Sequence, residues 1–190
     1  MAGFILKENY PVAAALGLLL AFAGTCFFTH KLCNLLPKDA GREFAHDGKL
    51  SAGKPRGAGI IFRLVFVAAS LLFAPVNLEI VIYLALVTAE MFTGFMDDAS
   101  EHPWGALKKG LLDLAIAVIV AVTYLHFNSN IVRIATMGTD ITIPPVLFGI
   151  LTVILVWVSI NVTNCSDGVD GLSGTLAIIT LASFYVIDSI

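Results

Sequence analysis

Residues 146–174 read VLFGILTVILVWVSINVTNCSDGVDGLSG: a nearly unbroken apolar run that passes into two amides and two carboxylates. The run is long enough to cross a bilayer, whose hydrocarbon core of about 30 Å takes roughly 20 apolar residues in a helix. Such a segment has its backbone satisfied internally only as a helix or within a closed barrel, and its length and its absence of strict alternation favour the helix. The fold question therefore becomes a count of similar runs.

Working outward, runs at 11–29, 58–74, 80–96, 111–127 and 172–190 join the one at 146–162, giving about six spans. Overall, 58% of the 190 residues are hydrophobic and 13% are charged, with a mean hydropathy of +0.91. Soluble domains have roughly 45–50% apolar residues, so the sequence predicts an all-α polytopic membrane protein. Residues 1–190 are expected to form a single helical integral membrane domain.

Charge is distributed by position rather than in bulk. The net charge is −3, yet Lys31, Lys38, Arg42, Lys49, Lys54 and Arg56 follow the first run, and Lys108 and Lys109 follow the third. Only Lys7 and Arg133 fall on the other side. The positive-inside tendency thus predicts a cytoplasmic location for these loops and an external N-terminus, in the cell membrane. Cys26, Cys33 and Cys165 show neither CxxC nor His-paired spacing, which points away from a disulfide framework or a zinc site.

The same orientation brings two acidic segments to the cytoplasmic boundary. Asp97 and Asp98 end the third run, and Asp167 and Asp170 follow the fifth. Clustered carboxylates repel unless a cation or a proton intervenes. Oxygen-only donors favour a hard divalent ion, Mg2+ with Mn2+ as the second choice. Lys108, Lys109 and the Lys49, Lys54, Arg56 group offer positive charge to phosphates. The three-residue spacing of Asn161, Asn164 and Asp167 places neighbouring groups on one helix face.

Other readings compete at this point. An Asp-Asp pair is often only a solvated helix end, and DGVDG is a reasonable turn. A cation transporter or channel with an acidic vestibule also explains the carboxylates, but not the lysines or the asparagine stripe. Within the spans, Arg63 and Glu90 lie at nearly matching depths, which predicts a buried ion pair. Segment 128–145 alternates weakly around Gly138 and predicts a small hairpin.

Three segments carry a family resemblance. GFMDDASEHPWGALKKGLLD, NVTNCSDGVDGLSG and GKPRGAGI, in their respective positions, resemble motifs of the polyprenyl-phosphate N-acetylhexosamine-1-phosphate transferases. Thr163 and Ser166 look more like the branch acting on UDP-MurNAc-pentapeptide than the branch acting on UDP-GlcNAc. The resemblance covers roughly residues 30–175. It departs at Glu101, where the family often has Lys, and at Ala58, where it commonly has Gly.

The resemblance implies Mg2+-dependent transfer of a phosphosugar from a UDP-linked amino sugar to polyprenyl phosphate, releasing UMP and forming a lipid-linked product for cell-wall synthesis. It implies that Asp97 and Asp98 are catalytic and metal-site groups, with Asp167 and Asp170 completing the metal site. Asn164, Asp167, Asp170, Lys54, Lys108 and Lys109 become substrate-binding residues. The expected partners are the membrane, the lipid carrier and the nucleotide sugar, with no nucleic acid and with homo-oligomerisation left open. The family fold has about ten spans, so this chain is expected to be its N-terminal portion.

Overall fold

A computed structural model describes residues 9–38, 53–100, 104–134, 137–166 and 171–188. Among them are six apolar helices and one hairpin. In chain order these are α1 (Tyr10–Leu32), α2 (Gly59–Phe73), α3 (Leu78–Ala99), α4 (Ala106–Phe127), β1 (Ile131–Ile134), β2 (Thr139–Thr142), α5 (Pro145–Ser166) and α6 (Leu172–Asp188). A 3-10 turn, Cys33–Leu35, extends α1. Four segments are long and apolar enough to cross a membrane: Pro11–Leu35, Leu78–Ala99, Ala106–Phe127 and Pro145–Cys165. The other two helices have 15 and 17 residues, or about 22 and 25 Å at 1.5 Å per residue. The expected six apolar helices are therefore present, two of them short for a full span.

Local chemistry sets several boundaries. Pro11 occupies the first turn of α1, where its missing N–H breaks no helical bond. α2 stops before Pro75, whose ring disfavours helical backbone in the preceding residue. The Asn77 side chain accepts the Ile80 N–H at 2.8 Å and caps α3, with Glu79 in the favourable first turn. Within the helices, the Thr88, Thr152 and Ser159 hydroxyls donate to carbonyls four residues upstream. Their polar groups thereby enter the apolar layer already satisfied.

The chain divides into two compact units, residues 1–109 and 110–190. In the first, α1 packs on α2 and α2 on α3. The α1–α2 contact is antiparallel and close: a Cβ on Gly17 would lie 3.1 Å from Phe73 Cβ, and one on Gly24 3.1 Å from Val65 Cγ1. Small residues two turns apart let helix backbones approach, the favoured packing in a solvent as apolar as the side chains. Ile61, Val65 and Ala69 form the buried stripe of α2. Large apolar side chains such as Leu18 and Phe22 are exposed, as suits a surface that meets lipid.

Among the described residues, no ion pair joins Arg63 to Glu90. Their similar depth does not fix their azimuth. Arg63 is two residues, about 200°, around α2 from Ile61, and so lies away from the stripe that packs.

The second unit contains the hairpin, α5, α6 and most of α4. β1 and β2 pair antiparallel with Ile131 opposite Thr142 and Ile134 opposite Thr139, as the alternation predicts. Gly138 takes a left-handed φ of 60° in the turn. Arg133 donates to both Asp140 oxygens, at 2.9 and 3.1 Å, and holds that carboxyl below its ordinary pKa. Asn130 Nδ2 donates to Ile143 O at 2.6 Å and ties the hairpin ends.

Candidate functional site

The helices extend beyond the apolar runs that foreshadow them. Asp97 and Asp98 lie in the last turn of α3, while Lys108 and Lys109 lie in the first turn of α4 rather than in a loop. Both Lys N–H groups donate to Gly105 O, at 3.0 and 3.3 Å, and Ala, Leu and Lys are good helix formers. By the helix dipole each charged pair is at the wrong end: anions at a C-terminus, cations at an N-terminus. Each placement costs a few tenths of a kcal/mol to about 1 kcal/mol on its own. Together they offset one another.

Lys109 Nζ lies 2.5 Å from Asp97 Oδ2. The other oxygen of Asp97 accepts the Trp104 N–H at 2.7 Å. This carboxylate is well sheltered, its side chain only 16% exposed. Arg56 Nη2 reaches Asp98 Oδ1 at 3.1 Å, a more open pair with exposures of 43% and 35%. The two acids are adjacent, about 100° apart around the helix, and face different cations.

Trp104 completes the group. Its Nε1 donates to Ser100 Oγ at 3.0 Å, and Ser100 Oγ donates to Met96 O at 2.6 Å. Lys108 Nζ sits 3.2 Å above the ring centroid, a cation–π contact that holds a second ammonium beside the acids. The end of α3, the start of α4 and the segment before α2 thus bring two carboxylates and three cations together.

Arg56 is delivered by backbone geometry. Its N–H donates to Pro37 O at 2.7 Å, and Lys38 pairs with Pro55 in an isolated bridge. Gly57 then turns the chain into α2 with φ +71°, and an added Cβ would come within 2.9 Å of Phe95 Cδ2. Gly57→Ala is expected to destabilise the first unit by about 1–2 kcal/mol, the usual cost of a side chain in left-handed backbone. Thermal unfolding in detergent measures it. An unchanged midpoint would contradict this turn.

The remaining expected residues are placed as follows. Lys54 is exposed, two residues before Arg56. Asn164 is exposed near the end of α5 in the second unit. Asp167 and Asp170 lie outside the described residues, as does Lys49. Sequence reasoning did not single out Trp104, although an aromatic residue between DDAS and the basic KKG was its visible signal. It grouped Arg56 with the lysines without distinguishing it.

No three His, Cys, Asp or Glu side chains converge as a metal-binding group among the described residues. The donor chemistry at Asp97 and Asp98 nevertheless fits Mg2+, which characteristically takes one or two carboxylates and fills its octahedron with water and phosphate oxygens. Cys26, Cys33 and Cys165 are free.

Apolar helices and a charged cluster at their ends define an integral, polytopic helical membrane protein. Residues 80–190 match the family described as Glycosyl transferase family 4. The chain is 37% identical over 183 residues to phospho-N-acetylmuramoyl-pentapeptide-transferase of Treponema pallidum (strain Nichols), covering 95% of this chain and 50% of that protein. It is 31% identical over 151 residues to the Symbiobacterium thermophilum protein of the same name, covering 70% of this chain and 43% of that one. With the Streptococcus pyogenes serotype M49 protein of that name the identity is 30% over 169 residues, covering 80% and 49%. No solved structure matches. The chain belongs to glycosyl transferase family 4 and spans about half the length of the curated relatives it matches.

Proposed function

We propose that this chain supplies part of a Mg2+-dependent enzyme transferring phospho-MurNAc-pentapeptide from its UDP-linked donor to polyprenyl phosphate. The observation that carries the reading is the pairing of Asp97 with Lys109 and of Asp98 with Arg56 at opposed helix ends. Relatives named for this transfer, across nearly the whole chain, support it. The loop charges favour a cytoplasmic active face in the cell membrane, with the N-terminus outside.

In the proposed reaction an oxygen of the lipid phosphate forms a bond to the sugar-proximal phosphorus. The bridging P–O bond of the UDP-sugar breaks, and its electron pair leaves on UMP. Bound Mg2+ would neutralise the anions at this centre, with Asp97 and Asp98 as its holders beside the lipid phosphate and Asp167 and Asp170 as further holders. Asp97 also serves as the base for any proton on that phosphate. Asn164, Asp167 and Asp170 orient the nucleotide-diphosphate side, while Lys54, Lys108, Lys109 and Arg56 offset phosphate charge. Catalysis here is positioning and electrostatic stabilisation, as in phosphoryl transfer generally.

The test is incubation of the full-length protein with polyprenyl phosphate, Mg2+ and a panel of UDP-sugars, with UMP as readout. Release with UDP-MurNAc-pentapeptide is expected. No UMP from any donor would end the transferase reading, whereas preference for UDP-GlcNAc would reject only the named sugar.

A further inference from the structure

Two hydrogen bonds join α4 to α5 in the second unit, and the proposed reaction uses neither. Trp157 Nε1 donates to Gly110 O at 2.9 Å. Asn161 Nδ2 donates to Asp113 Oδ2 at 3.2 Å and to Trp157 O at 2.9 Å. Gly110 and Asp113 are three residues apart on α4 and Trp157 and Asn161 four apart on α5, so both contacts fall within about one turn of each helix. A Cβ on Gly110 would lie 3.8 Å from Trp157 Cζ2, so the far edge of the indole reaches the α4 backbone and spans the gap between the two helices.

Asp113 is the anomaly. It is only 6% exposed and lies within a membrane-length helix, where carboxyl groups are costly and commonly functional. Packing would be served as well by leucine. What leucine cannot do is accept from the Asn161 amide, which lies one turn before Asn164 on α5. An apolar contact lets helices slide or rotate, while a directional hydrogen bond fixes both register and azimuth.

We propose that Asp113 is a positioning residue, holding Asn161 and thereby setting the end of α5 that presents Asn164 and leads into Asp167 and Asp170. This rests on the reading that those residues serve the nucleotide-sugar side. Asp113 then affects the donor far more than the lipid acceptor.

The test uses the full-length protein with Asp113→Leu, Asp113→Ala and Asp113→Asn, the last keeping an acceptor oxygen for Asn161. Loss of the acceptor in the Leu and Ala variants is expected to raise the donor KM about tenfold, with the polyprenyl phosphate KM within about twofold of wild type. Asp113→Asn should return the donor KM to near wild type. Maleimide labelling of Cys165, located by mass spectrometry, gives a readout independent of activity. Cys165 is exposed and one turn beyond Asn161, so its labelling rate should change severalfold in the Leu and Ala variants and recover in Asp113→Asn.

Wild-type donor KM and labelling in both acceptor-less variants would overturn the proposal. So would equal shifts of both KM values with no recovery in Asp113→Asn, the pattern of a general packing defect. If the unmodified protein releases no UMP, the transferase reading fails, and Cys165 labelling still decides whether Asp113 sets the helix end. Should Asp113→Leu not fold, Asp113→Ala carries the same comparison.

Discussion

Asp97→Asn in the full-length protein is expected to lower UMP release about a hundredfold or more, a loss typical of removing one preorganised electrostatic group from a reacting centre. The substitution keeps size and leaves an amide oxygen to accept the Trp104 N–H. It removes the charge that faces Lys109, leaving that ammonium at a helix N-terminus where the dipole opposes it. The structural penalty is therefore about 1 kcal/mol, too small to empty the membrane of folded protein. Asp98→Asn should act in the same direction through the Arg56 pair. Purified, monodisperse variants assayed for UMP at saturating substrate provide the measurement. Near-normal turnover in both would reduce the Asp pair to a solvated helix end.

The spans were legible because a bilayer demands long apolar helices, and composition records that demand directly. The hairpin was legible for a different reason: alternating residues flank Gly138, which takes the left-handed backbone of the turn. Helix ends were not. Counting apolar residues stops at the first charge, whereas α4 continues back through Lys109 and Lys108 to Ala106. That difference matters, because a lysine in a helical first turn has a fixed direction toward Asp97 that a loop lysine lacks.

Long-range partners were the other limit. Asn161 bonds both within its own helix, through Trp157 O, and across to Asp113. Its distant partner is 48 residues away, a separation on which helical periodicity is silent. Arg63 and Glu90 show the converse: similar positions along their runs suggested a pair, but azimuth around the helix decides contact. Asp98 pairs with Arg56, 42 residues away, which the sequence groups with Lys49 and Lys54 without marking it out.

Asp167→Asn tests the other half of the proposed site. α5 remains helical through Ser166, so the acidic DGVDG segment begins where that helix ends. If Asp167 helps a cation bridge carboxylate and diphosphate, removing its charge should weaken Mg2+-dependent nucleotide binding and turnover together, each by about tenfold or more. The fold should survive, since an amide is less costly than a carboxylate wherever the residue loses water. Asp140→Asn is the matched control: it also removes one carboxylate from the second unit, but from an exposed hairpin pair with Arg133. That variant should leave the Mg2+ titration unchanged. The two titrations are read by nucleotide binding and by UMP release, on the same full-length preparation. If Asp167→Asn follows the control in both, the CSDGVDG segment is a turn following a helix, and the metal-bridging role assigned to it is wrong.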